Sequence, residues 1–158
     1  VRVGVITGPL ASPLSADRLA GVRAAAERHS RAASLQVITG DFTIESGLHQ
    51  ATALLAGQDR PTAIFCFSDE MAMGALEAIR RAGLSCPRDV SLVGFDDIRF
   101  AEYLAPQLTT VSQPMDAIGH EVVRLLLDIL KGRATTLQQV TLPHRLVVRA
   151  STAAPAAG

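Results

Sequence analysis

The 158-residue sequence has no tryptophan, no asparagine, one tyrosine, two cysteines and a single lysine, Lys131. Without asparagine there is no N-glycosylation acceptor. Cys66 and Cys86 form neither a C-x-x-C pair nor a disulfide framework, and both lie among apolar or small residues. They read as free, at least half-buried thiols, in keeping with a reducing compartment. Neither sign of charge is in excess, since 15 Lys and Arg meet 15 Asp and Glu. A segment without a basic stripe is not expected to grip a nucleic-acid backbone by itself. Long apolar runs are missing too. A membrane span needs about 20 apolar residues, and the longest stretch, Val122 to Leu130, is broken by Arg124 and Asp128. The first ten residues carry one charge and no long apolar core, so no secretory signal is expected there and a cytoplasmic location is.

Enzyme signatures are absent as well. There is no G-x-G-x-x-G, no G-x-x-x-x-G-K-[ST] and no G-x-S-x-G, so the phosphate cradles and the nucleophile elbow are missing. His120-Glu121 starts like H-E-x-x-H, but Arg124 stands where the second metal ligand belongs. Asp41, Asp69, Asp96 and Asp97 would suit Mg²⁺ chemistry only with a catalytic partner such as a well-placed lysine, which is lacking. No enzymatic activity, cofactor or metal is expected.

What is present is a 48% hydrophobic chain of single-domain length in which strands alternate with helices. Strands are expected at Val1–Thr7, Leu35–Thr39, Thr62–Phe67, Val90–Phe95 and Thr109–Ser112. Helices are expected at Ser15–Arg31, Thr43–Ala56, Asp69–Ala82 and Met115–Lys131. Leu48, Ala51 and Leu55, with Thr52 beside them, mark the apolar side of the second helix; Ser68 or Asp69 caps the third. Gln138 to Arg149 reads as extended and split by Pro143, and Ala153 to Gly158 as a frayed tail. Strands apolar on both faces and separated by helices predict an α/β fold, a doubly wound parallel sheet. Ligands of such sheets bind beyond the carboxyl ends of the strands. Those ends offer Ser12, Arg18, Phe42, Ser68, Asp69, Asp96 and Asp97, a mixture suited to a neutral polyol or heterocycle. Asp69 reads equally as a helix cap, Asp96-Asp97 as a solvated turn and Phe42 as core.

Four separate blocks carry a family resemblance. They are Pro61-Thr-Ala-Ile-Phe-Cys-Phe-Ser-Asp-Glu-Met-Ala-Met-Gly-Ala-Leu76, Gly83-Leu-Ser-Cys-Pro-Arg-Asp-Val-Ser-Leu-Val-Gly-Phe-Asp-Asp97, Pro106-Gln-Leu-Thr-Thr-Val-Ser-Gln-Pro114 and Leu146-Val-Val-Arg-Ala-Ser-Thr152. With Arg18-Leu-Ala-Gly21 and Gly40-Asp-Phe-Thr-Ile-Glu-Ser-Gly47, the chain resembles the lactose-repressor family of bacterial transcription regulators, in wording closest to its purine- and cytidine-repressor branch.

The resemblance implies the C-terminal part of a two-lobed effector domain like the periplasmic binding proteins, with the DNA-binding head outside this chain. Residues 1–111 would form the C-terminal lobe, 112–136 would cross to the other lobe, 137–152 would return, and 153–158 would be a disordered tail. It implies Arg18, Phe42, Ser68, Asp96, Ser12 and Met115 as effector-binding residues and Asp69 as pocket support. Serine at position 68 stands where sugar-responsive members often carry asparagine, which leaves nucleosides and bases open. It further implies a homodimer through Met71, Met73, Phe100 and Tyr103, a small-molecule effector, operator DNA as partner and no membrane. A solute receptor of an uptake system shares the fold and is the alternative. The helix beginning at Met115, lacking its partner lobe, is expected in an oligomer contact, a swapped arrangement or disorder.

Overall fold

The computed structural model describes residues 2–29, 34–133 and 138–154. Its elements follow in the order β1 (Arg2–Thr7), α1 (Pro13–His29), β2 (Ser34–Thr39), α2 (Ile44–Ala56), β3 (Ala63–Cys66), α3 (Asp69–Arg81), β4 (Ser91–Asp96), a 3-10 turn (Arg99–Glu102), β5 (Thr109–Ser112), α4 (Met115–Leu130) and β6 (Arg145–Val147). The six strands form one sheet in the order β2-β1-β3-β4-β5-β6. All neighbours are parallel except β6, which returns antiparallel to β5 with Val111 opposite Leu146. The order reverses between β1 and β3, where a crevice opens at the carboxyl edge in folds of this kind.

Val5, Ile6, Ile64, Cys66, Phe67, Met71, Ile79, Leu92 and Leu108 are fully or almost fully buried between the sheet and the helices. Each large side chain there contributes about 1.5–3 kcal/mol. Several sequence expectations shift by a residue or two. α1 begins at Pro13, whose fixed φ and missing N–H suit a first helical position; its expected end at Arg31 lies outside the described residues. Ser68, not Asp69, caps α3, its hydroxyl accepting from the Met71 backbone N–H at 3.1 Å. Pro114 occupies the cap position before α4 rather than its first turn. Of the extended segment 138–149, only Arg145–Val147 pairs as a strand. On α2, Leu54 joins Ala51 and Leu55 in the core, while Thr52 is exposed and donates back to the Leu48 carbonyl at 2.7 Å. Met71 was expected at a dimer surface. It has no exposure, because α3 turns that side chain toward the sheet.

The closest helix crossing is between α2 and α3. A Cβ added to Gly47 would collide with the backbone of Met71, and one added to Gly74 with the carbonyl oxygen of Ile44. Backbone lies on the other side, so relief requires moving a whole helix. Gly74→Val is therefore expected to cost about 3 kcal/mol, lowering the melting temperature by about 6–12 °C. A thermal melt within 2 °C of wild type would contradict this account of the crossing (a shift below about 1 kcal/mol).

After β5 the chain leaves the sheet, forms α4 and rejoins at β6. No α4 residue is buried. Val122, Val123, Leu126, Ile129 and Leu130 are each more than half exposed. The helix is formed, so of the oligomer contact, swapped arrangement or disorder expected for it the last is not what the structure shows, and its apolar side is open. Among the described residues no helix is long and apolar enough to cross a membrane.

Candidate functional site

The carboxyl edge of the sheet collects the polar residues that the sequence singled out. Arg18, one turn into α1, reaches across the ends of β3 and β4. Its Nη1 donates to the Phe67 carbonyl at 2.7 Å, and its guanidinium carbon lies 3.6 Å above the centre of the Phe95 ring. Its Nη2 stands 3.9 Å from Asp96 Oδ1. One hydrogen bond and one ring face thus fix the fork, with Nη2 the nitrogen nearest the carboxylate. Asp96 ends β4 and accepts from Gln113 Nε2 at 2.8 Å.

The backbone here is unusual. Asp96 has φ 111° and Asp97 φ 55°, both in the region that favours glycine. Strain of that kind, of order 1–3 kcal/mol per residue, persists only where the surroundings enforce it. Three contacts do so. Arg149 Nη2 donates to Asp97 Oδ1 at 2.7 Å, the Asp97 N–H donates to Thr110 Oγ1 at 3.3 Å, and the Ile98 N–H donates to Asp69 Oδ2 at 2.9 Å. Asp69 also accepts from Thr110 Oγ1 at 2.6 Å and is fully buried. It supports the loop from below rather than facing it.

Phe42 follows β2 with φ 73°, and its ring lies flat on Gly8 at the end of β1. Any side chain at position 8 would occupy the space of the ring. Ser68 is buried and engaged as the α3 cap. Ser12 precedes α1 and offers its carbonyl to the N–H groups of Ser15 and Ala16, both at 3.1 Å. Leu14, beside it, is 63% exposed and, with Phe95 and Gln113, lines a cavity of about 700 Å³ against Ile118, Val122 and Leu125 of α4. Met115, also 63% exposed, lines an adjoining cavity that shares Gln113 and Pro114. The structure therefore unites Arg18 and Asp96 around Phe95, sets Phe42 and Ser68 at neighbouring strand ends, and leaves Ser12 and Met115 on the rim. Met73 is half-buried, whereas Phe100 and Tyr103, in and just after the 3-10 turn that follows the strained loop, are 63% and 71% exposed. Phe95, Thr110, Gln113 and Arg149 lie inside the motif blocks but were not singled out as site residues, because each acts on a partner 13 or more positions away.

The four carboxylates weighed for Mg²⁺ each accept hydrogen bonds from the protein. Asp41 accepts from Thr43, Asp69 from Thr110 and Ile98, Asp96 from Gln113, and Asp97 from Arg149.

Burial raises the Asp69 carboxyl above its ordinary value, against the hydrogen bonds from Thr110 and Ile98, with the Asp96 and Asp97 charges adding to the rise. Burial likewise raises Asp96, while Arg18 and the Gln113 hydrogen bond pull it back. A carboxyl whose folded value lies above its unfolded one favours the native state most when protonated. That contribution is lost as pH rises from the ordinary value of 3.8 through the folded value. Asp69→Asn cannot ionise and is expected to flatten this part of the profile. In urea titrations the stability of the variant relative to wild type should improve as pH rises through that window. A constant difference would contradict the burial argument.

A sequence profile of the periplasmic binding protein-like domain matches residues 1–152. The chain belongs to that family. Among relatives of this periplasmic binding protein-like chain, the HTH-type transcriptional repressor PurR of Klebsiella pneumoniae (strain 342) is 42% identical over 153 residues, covering 96% of this chain and 45% of the repressor. PurR of Salmonella paratyphi B is 42% identical over 152 residues, with the same coverage. The Lac repressor dimer bound to operator and the anti-inducer ONPF superposes with a TM-score of 0.86 at 34% identity, over 97% of this chain and 53% of that one. The Escherichia coli repressor ascG gives 0.83 at 32% identity, over 96% and 55%. The resemblance to the lactose-repressor family thus extends over nearly the whole chain, which spans about half the length of the relatives it matches.

Proposed function

We propose that the chain is the effector-binding and dimerisation part of a bacterial transcription regulator of the lactose-repressor family. In this reading it is cytoplasmic, has no enzymatic activity, and senses a small neutral molecule such as a nucleoside, purine or sugar. The observation that carries the proposal is the convergence of Arg18, Phe95 and Asp96 at the carboxyl edge, beside a helix whose apolar side is uncovered. One cation and one carboxylate offset each other, which suits a neutral ligand. The carboxylate accepts from hydroxyl or ring N–H groups, Arg18 donates, and Phe42 offers a flat face.

Residues 1–111 are the C-terminal lobe, 112–136 cross to the other lobe with α4, 137–152 return, and the DNA-binding head lies outside the chain. The open side of α4 supports this division, since it exposes residues that a second lobe would cover. Met73, Phe100 and Tyr103 join two copies. The effector acts by population shift: it binds one relative lobe angle better, and the dimer passes that preference to the DNA-binding heads. Relatives named as repressors favour this over a solute receptor of an uptake system. The coding frame upstream of Val1 separates the two. A helix-turn-helix followed by a hinge is the expected result, and a signal peptide would overturn the regulator reading.

A further inference from the structure

We propose that Gln113 is a positioning residue for Asp96, which selects the carboxylate oxygen that meets the effector and does so from the segment that leaves the sheet. The proposal rests on the effector-pocket reading above and deepens it.

Asp96 and Ser112 are register partners at the ends of β4 and β5, so Gln113 is the first residue past the sheet. Two residues later α4 begins. From that place the Gln113 side chain turns back, and its Nε2 donates to Asp96 Oδ1 at 2.8 Å. Arg18 Nη2 approaches the same oxygen, at 3.9 Å. Among the described residues no donor reaches Oδ2. With Oδ1 held by the Gln113 hydrogen bond and turned toward the Arg18 charge, the carboxylate has a set orientation, and its second oxygen is left to accept from a ligand. The side chain of Asp96 is 36% exposed, so that oxygen is within reach of solvent and solutes.

Gln113 is also shared by both cavities beside α4. The same amide therefore touches the candidate effector carboxylate and stands at the root of the crossing segment. Any rotation of α4 relative to the sheet moves the donor against Asp96. The charges facing Asp96 are Arg18 from α1, Glu70 and Asp69 from α3, and its neighbour Asp97. Gln113 is the neutral donor in that set. It satisfies Oδ1 without adding charge to a pocket that suits neutral ligands.

The test reads Asp96 directly and needs no ligand. The side-chain carboxyl of Asp96 is titrated by ¹³C NMR in the 158-residue chain, in wild type and in Gln113→Leu and Gln113→Glu. Loss of the donor in Gln113→Leu is expected to move the Asp96 midpoint toward neutral pH. In Gln113→Glu a like charge replaces the donor, and the midpoint moves further the same way. Wild-type midpoints in either folded variant overturn the proposal, and Gln113→Glu decides alone if Gln113→Leu does not fold. For a ligand that wild type binds, Gln113→Leu weakens binding about tenfold, the loss of one hydrogen bond to a charged group. If wild type binds none of hypoxanthine, guanine, adenosine, cytidine and ribose, the effector reading fails, while the NMR titration still decides the Gln113 contact.

Discussion

Replacing Asp96 by Asn is expected to weaken effector binding by at least about 100-fold, the loss of two hydrogen bonds to a charged acceptor, with little change in stability. Asparagine keeps the shape of the side chain and tolerates positive φ better than most residues. It therefore survives at a position with φ 111°, where alanine would add strain. It keeps one acceptor but replaces the other carboxylate oxygen with a donor, which repels the hydroxyl and ring N–H groups that the carboxylate would take. Burial already disfavours the Asp96 charge in the folded chain, so its removal takes away no net stabilisation. Arg18→Met should weaken binding to a similar extent by a different route. It removes the donor fork and the stacked guanidinium over Phe95, while the stem still fills the space beside the sheet. Binding close to wild type in both variants, measured by titration calorimetry, would mean that the ligand lies elsewhere.

Arg149→Met is expected to destabilise the fold at least as much as Gly74→Val does. Arg149 and Asp97 are 12% and 14% exposed and pair at 2.7 Å, and Arg149 Nη1 also donates to the Leu108 carbonyl at 2.8 Å. Methionine replaces the stem but strands the Asp97 carboxylate in a nearly closed site. Breaking one side of such a pair costs about 3 kcal/mol or more, or about 6–12 °C in melting temperature. Asp97→Asn in the same background should restore part of the loss, because the stranded charge is then gone. Strict additivity of the two changes would show that the pair is not coupled. The pair spans 52 positions and ties the last turn of the chain to the strained loop that presents Asp96. The stability of the fold and the geometry of the site therefore share one contact.

The sheet and its helices were legible because their signals are local. Apolar runs such as Ile64 to Phe67 and the breaks at Gly83 and Pro114 mark elements without reference to anything distant. Arg18 and Asp96 could be singled out because ligands of parallel sheets bind beyond the carboxyl ends of the strands, and the structure places the two side chains 3.9 Å apart. Gln113, Thr110 and Arg149 were not singled out. Each lies in a recognisable motif block, but its role is defined by a partner 13 to 52 positions away that only the fold brings close. The Leu54 position failed for a related reason. α2 packs both on the sheet, where Leu54 lies against Gly4 of β1, and against its neighbour α3, so its buried side is wider than the 48/51/55 stripe suggested. The open side of α4 reads in sequence as an ordinary amphipathic helix; the family resemblance implied that its partner lobe is missing, and the structure shows those residues exposed.

The most direct test of the account is a thermal-shift titration of the full-length protein containing this chain against purines, nucleosides and sugars, in wild type and Asp96→Asn together. A ligand at about 100 times its dissociation constant stabilises by about 2.7 kcal/mol, a rise of about 5–10 °C. The account predicts such a rise for at least one compound in wild type and its loss in Asp96→Asn. No rise with any compound, or an equal rise in both proteins, would contradict an effector pocket built around Arg18 and Asp96.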